Sequence, residues 1–188
     1  MIKRFFRIGL VLVLLSACAN TQNQTTSFDV YQIHYQSILN NPSFKAQSDY
    51  FNVEAYIVEL SANQYRYDVF IDQPKVAMYD VEVLVIVDDG LLVVSEQMMP
   101  SLGVFETSEY NLIPFQVDSA RGFYRGLNLN GVVNREPIDV KVLVIWKDYF
   151  KIRTFKEYVR FELSTQIIVE EPIVEPEEVV DDEESSDE

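Results

Sequence analysis

One cysteine, one histidine and one tryptophan occur in 188 residues, and fifteen basic residues stand against thirty acidic ones. Each scarcity closes a class of chemistry. A single cysteine permits no internal disulfide and no cysteine-rich metal site, so the fold must be held by its core. The one histidine, His34, leaves a zinc site or a serine–histidine–acid arrangement only one residue to build on. It falls on the flank of a helical segment, where a surface histidine is expected. The six glycines are scattered, and none forms a phosphate-cradling loop. The run Asp88-Asp89-Gly90 lacks the spacing of a calcium-binding loop and reads as a hairpin turn. These absences predict a chain without cofactor, metal or catalytic residues. The deficit of cations argues against nucleic acid, and against anionic phospholipid headgroups, as partners of the folded body.

What the chain does have begins at its first residues. Lys3, Arg4 and Arg7 precede the apolar run Ile8 to Leu15, which is followed by the small residues Ser16 and Ala17 and then by Cys18. The run is shorter than the roughly 20 residues that span a bilayer, and residues 1–17 have the layout of a secretory signal. The stretch "LSAC", Leu15 to Cys18, resembles the lipobox of bacterial lipoproteins. In that family the cysteine sulfur receives a diacylglycerol and the chain is cut just before it. The resemblance implies that Cys18 is the lipidation site and that the protein is held by its N-terminal lipid on the extracytoplasmic face of a bacterial membrane. Ala19 in place of Asp leaves the outer membrane open as a destination where two membranes exist. Two acyl chains hold stably where one does not.

Without residues 1–17, twelve basic residues face thirty acidic ones, a net charge of −18, and eleven of the acids lie in Glu170 to Glu188. Residues 170–188 pair that acid with prolines and are expected to be a disordered tail. The body alone then carries −7. Residues 18–27 are polar and read as a tether; eight such residues reach ~28 Å at most and typically span ~16 Å.

The ordered part follows. Phe28 to Leu39 reads as a helix with Phe28, Tyr31, Tyr35, Ile38 and Leu39 on one face, capped by Thr26 or Ser27 and closed by Asn41-Pro42. From Tyr50 to Val169 the period becomes two. Strands are expected at Tyr50–Leu60, Gln64–Asp72, Tyr79–Val87, Leu91–Val94, Tyr110–Val117, Tyr124–Val133, Ile138–Trp146 and Phe155–Leu163. Tyr65, Tyr67, Val69 and Ile71 share one face, as do Ile138, Val140, Val142, Val144 and Trp146; Glu157 interrupts the pattern of the last strand. Eight short strands at this spacing predict an all-β antiparallel β-sandwich that resembles immunoglobulin-like or fibronectin type III-like domains in pattern.

With no reaction indicated, the loops are the candidates for contact. The longest, Ser95 to Glu109, carries Met98, Met99 and Phe105, either folded back as an extra strand or presented to a partner. The turn "KDYFKIR" sets Tyr149 and Phe150 among Lys147, Lys151 and Arg153. If every strand crosses the sandwich, this turn lies at one end with Ser61–Gln64, Asp88–Gly90 and Asp118–Gly122, while the tether and tail lie at the other, facing the membrane. The expected role is a non-enzymatic binding or interaction module with an envelope protein or cell-wall partner. The alternatives are a structural accessory subunit of an envelope complex and, less favoured, a cell-wall hydrolase.

Overall fold

In the computed structural model of this chain the described residues are 25–88 and 99–165. The signal segment, Cys18, most of the tether, the Asp89-Gly90 turn, the strand expected at Leu91–Val94, Met98 and the acidic tail lie outside them.

Helix α1 spans Ser27–Leu39. Thr26 caps it: its Oγ1 accepts the Asp29 amide N–H at 3.1 Å, while the Asp29 carboxylate accepts the Thr26 amide N–H at 2.7 Å. This reciprocal pair satisfies two of the amides that a helix start leaves unbonded. The backbone bond from Thr26 foremost, and a second from the Thr26 hydroxyl to the same carboxylate at 2.7 Å, hold the Asp29 carboxyl below its usual range. Tyr31, Tyr35 and Ile38 are buried, as their spacing predicts.

Among the described residues seven strands follow: β1 (Asn52–Ser61), β2 (Gln64–Asp72), β3 (Tyr79–Val87), β4 (Ser101–Leu102), β5 (Gly126–Val133), β6 (Ile138–Lys147) and β7 (Thr154–Leu163). They form two antiparallel sheets, ordered β1-β2-β5 and β4-β3-β6-β7. The core between them unites Val53, Tyr67, Val69, Ile71, Leu127 and Leu129 of one sheet with Val83, Val85, Val140, Val142, Val144, Trp146 and Val159 of the other. The predicted strand phase holds at Tyr67, Val69 and Ile71 of β2 and at Val140, Val142, Val144 and Trp146 of β6. Fully burying one such side chain is worth roughly 1.5–3 kcal/mol. Gly131 pairs with Tyr67, whose ring leaves no room for a Cβ there. Burial pushes the Tyr67 phenol up to about 12.

The four-stranded sheet has a second core on its other face. Leu84 and Ile86 of β3 and Leu143 and Ile145 of β6 pack under Tyr31, Tyr35 and Ile38 of α1, joined by Val104. The order of layers is therefore helix, four-stranded sheet, three-stranded sheet. Beyond β7, Lys45 alone bridges the open edge: its amide N–H donates to the Tyr158 carbonyl at 2.9 Å and its carbonyl accepts the Arg160 N–H at 3.1 Å. Its ammonium, 2.9 Å from Oε1 of Glu157, also explains how that carboxylate sits buried at an inward position.

Three expectations change. His34 is not a surface residue: it is buried, with Nε2 2.6 Å from Oε2 of Glu82, because α1 lies across the face of β3 that also presents Leu84. Tyr110–Val117 is not a strand. Pro114 has no N–H to donate and Phe115 takes a left-handed φ of 62°, so only isolated bridges form, Met78 with Leu112 and Ile113 with Gln116. That segment does not cross the sandwich, which alters the parity. The β6–β7 turn lies with the Asp118–Gly122 turn near Met78, Phe51 and Trp146, whereas the β1–β2 turn at Asn63 lies at the opposite end beside Asp88 and Glu136. Thr165, whose N–H and Oγ1 are bound by the Glu136 carboxylate, leaves the described chain at the Asn63 end. Thr165 and the Tyr149 turn therefore lie at opposite ends, the expected end of the tail itself lying outside the described residues, and the start of α1 sits on the flank of the sandwich beside Met99 and Phe105 rather than at either end.

Candidate contact surface

The turn from Asp148 to Arg153 is built on one carboxylate. Asp148 Oδ1 accepts the amide N–H groups of Ile152 at 3.0 Å and Arg153 at 3.3 Å, and its carbonyl accepts that of Lys151 at 2.9 Å. Lys151 takes a left-handed φ of 56° to close the loop. The result pushes three apolar side chains outward. Tyr149 is 70 %, Phe150 74 % and Ile152 82 % exposed. Tyr149 and Phe150 meet edge to face with ring centroids 5.2 Å apart, and Tyr149 rests on Tyr79 at 5.8 Å. A second tip stands at the same end: Phe115 is wholly exposed at 106 % and Val117 65 % exposed.

Charge is distributed unevenly around these tips. Asp80 receives Lys151 Nζ at 2.7 Å and Lys147 Nζ at 3.0 Å, and Lys151 also reaches Glu109 at 3.0 Å. Burial works to raise the Asp80 carboxyl, but the two ammonium groups outweigh it and hold the group below its ordinary value. The Asp80 and Glu109 hydrogen bonds raise Lys151 in turn. Away from this end, Lys45, Arg66, Arg135, Lys141 and Arg160 are each paired with a carboxylate. Lys75, Arg121, Arg125, Arg153 and Lys156 are exposed and have no carboxylate partner among the described residues, and all five lie at the Tyr149 end. Arg121 lies over the Phe123 ring at 5.9 Å.

Of the residues singled out from sequence, Tyr149 and Phe150 are therefore joined by Ile152, Phe115 and Val117. Met99 and Phe105 are elsewhere. The Met99 amide N–H donates to the Tyr31 hydroxyl at 2.8 Å, and Phe105 packs on the Tyr31 ring at 5.6 Å, so both belong to the seat of α1. The long loop folds back, with Ser101 and Leu102 paired to Leu84 and Val83. Cys18 and Met98 lie outside the described residues. Phe115 escaped the sequence reading because it was counted into a strand; a proline followed by an aromatic residue was the available sign of a turn.

Among the described residues no group of three or more His, Cys, Asp or Glu is placed to hold a metal ion, and no helix is long and apolar enough to cross a membrane. Two buried side-chain atoms there lack hydrogen-bond partners, His34 Nδ1 and Glu157 Oε2, and they lie in different parts of the fold. No protein-family model, no curated protein and no solved structure matches the chain.

Proposed function

We propose that this chain is a bacterial envelope lipoprotein, anchored by a lipid on Cys18 to the extracytoplasmic face of a membrane, that serves as a non-enzymatic interaction module. The observation that supports it is the Tyr149 end: exposed rings on two tips, surrounded by the five cations that lack carboxylate partners among the described residues. Large apolar side chains held in water at a loop end, beside unpaired charge, suit contact with another surface rather than catalysis. The domain itself is of the immunoglobulin-like or fibronectin type III-like kind. Its support is the strand order, in which β1-β2-β5 follows A-B-E and β4-β3-β6-β7 follows C′-C-F-G of such sandwiches.

The test is rebinding of the chain Ala19 to Glu188, which retains every described residue, to isolated cell envelopes. Tyr149→Ala with Phe150→Ala is expected to weaken binding by about 5- to 160-fold, the range of ~1–3 kcal/mol for anchoring aromatics, while circular dichroism and melting stay unchanged. Undiminished binding by the folded double variant would remove this surface from the proposal. The anchor is tested separately: Cys18→Ser should move the protein out of the membrane fraction, and full retention there would remove the lipid.

A further inference from the structure

We infer that the Tyr149 end docks on an anionic lipid surface, its exposed rings entering the headgroup layer while its unpaired cations meet lipid phosphates. The inference rests on the reading that this end is the contact surface of a membrane-anchored chain, and it names what that surface touches.

Charge is the first argument. The body is acidic on average, which by itself speaks against an anionic partner, but the average conceals a division. Every described cation outside this end is neutralised by a carboxylate, whereas Lys75, Arg121, Arg125, Arg153 and Lys156 are exposed and unpaired within it. The described residues end at Thr165, held by Glu136 at the Asn63 end. The ten residues of β7 separate the two ends by about 33 Å. That is several Debye lengths of ~8 Å at physiological ionic strength, so the described carboxylates at the Asn63 end, such as Glu136, do not cancel the local attraction.

Shape is the second argument, and it favours a bilayer over a protein or a soluble polymer. The apolar side chains stand on two separate tips, Phe115 with Val117 and Tyr149 with Phe150 and Ile152, and each projects into water instead of lining a groove. Aromatic bodies with polar or cationic neighbours at a protruding end are suited to the layer between water and hydrocarbon. Phe115 is held outward by a left-handed φ of 62°, an unfavourable conformation for a bulky residue and of the kind that persists where a site requires it. Geometry permits the contact, because α1 begins on the flank of the sandwich and a tether of up to ~28 Å lets the body settle on either end.

The experiment uses the chain Ala19 to Glu188 and protein-free vesicles. Vesicles of phosphatidylglycerol with phosphatidylcholine are expected to bind it in a salt-sensitive manner, and vesicles of phosphatidylcholine alone much less. Phe115→Ser with Phe150→Ser, and separately Arg121→Glu with Arg153→Glu, should each lower partition about ten-fold or more, since each basic residue near such a surface contributes roughly a five-fold factor, with melting unchanged. A tryptophan placed by Phe150→Trp should be quenched by lipids brominated in their acyl chains, and one placed by Asn63→Trp should not. Failure to bind anionic vesicles, equal binding to neutral ones, or quenching at position 63 would overturn the inference. So would binding to a soluble anionic polymer alone. Binding to envelopes without binding to vesicles would sink only the lipid assignment, leaving the interaction module with a protein or wall partner.

Discussion

Strands β2 and β6 lie at the centres of the two sheets and meet different surroundings. The inward residues of both are buried between the sheets. On the outward face of β2, Arg66 and Phe70 are exposed, and only Asp68 is covered, with its carboxylate on Arg66 Nε at 2.8 Å. On the outward face of β6, Leu143 and Ile145 are buried beneath α1. One helix thus turns a half-buried sheet into a central layer, and the strands beneath it become nearly continuous apolar runs, "VEVLVIV" in β3 and "VKVLVIW" in β6. A strand's tolerance of polar substitution then depends on which sheet it belongs to, beyond its own alternation.

The largest expected effect breaks this comparison directly. Leu143→Asp should abolish folding as completely as Val142→Asp, because a carboxylate placed on either face of β6 is buried without a partner, at several kcal/mol against a total stability of about 5–15. In β2, Val69→Asp should do the same while Phe70→Asp leaves a folded protein. Soluble yield and circular dichroism decide it, and equal damage at both β2 positions would mean that the three-stranded sheet is also covered. Next comes the helix. Ile38→Ala removes a fully buried side chain from the second core and should cost ~2–5 kcal/mol in chemical denaturation. A cost near zero would show that α1 contributes little to the four-stranded sheet.

A smaller effect concerns the tip of that same sheet. Asp80 has a carboxyl lowered beneath its ordinary 3.8 by Lys151 and Lys147. Its pairing therefore stabilises the fold fully above pH ~4–5 and is lost as pH falls through the lowered folded value. Asp80→Asn should melt earlier than the parent chain near pH 6, and the gap should narrow progressively as pH falls below the ordinary 3.8; a gap that does not narrow in acid would assign the loss to packing. The smallest effect is the cap. Thr26→Ala should cost about 1 kcal/mol, sensed through the helix alone. A loss much larger than this would tie the first turn to the sheet beneath it.

Much of the fold was legible because burial imposes a period. In β2 and β6 the alternation of apolar and polar residues places Val69 and Val142 inside with no knowledge of a partner strand. The Asn41-Pro42 step and the Thr26 cap mark the helix ends by chemistry local to a few residues. The site was legible in part. Tyr149, Phe150 and Arg153 stood out within a turn, but Ile152, Phe115 and the other four unpaired cations did not. Whether a lysine is free depends on carboxylates far away in sequence: Lys147 and Lys151, read as available, are both engaged by Asp80 of β3, while Arg125 and Lys156, which drew no notice, have no such neighbour.

The sequence by itself determined which face of β2 and of β6 turns toward the other sheet, where the helix starts and stops, and that the long loop has the apolar content to fold back on the body. Those outcomes follow from local periodicity, capping and the exclusion of apolar surface from water. Only the tertiary structure decided that α1 covers the four-stranded sheet, that His34 is buried against Glu82, that Tyr110–Val117 fails to cross the sandwich, and that exposed rings and unpaired cations gather at one end. Each of these depends on contacts between residues distant in the chain, and a period read along one strand carries no information about what will lie across from it.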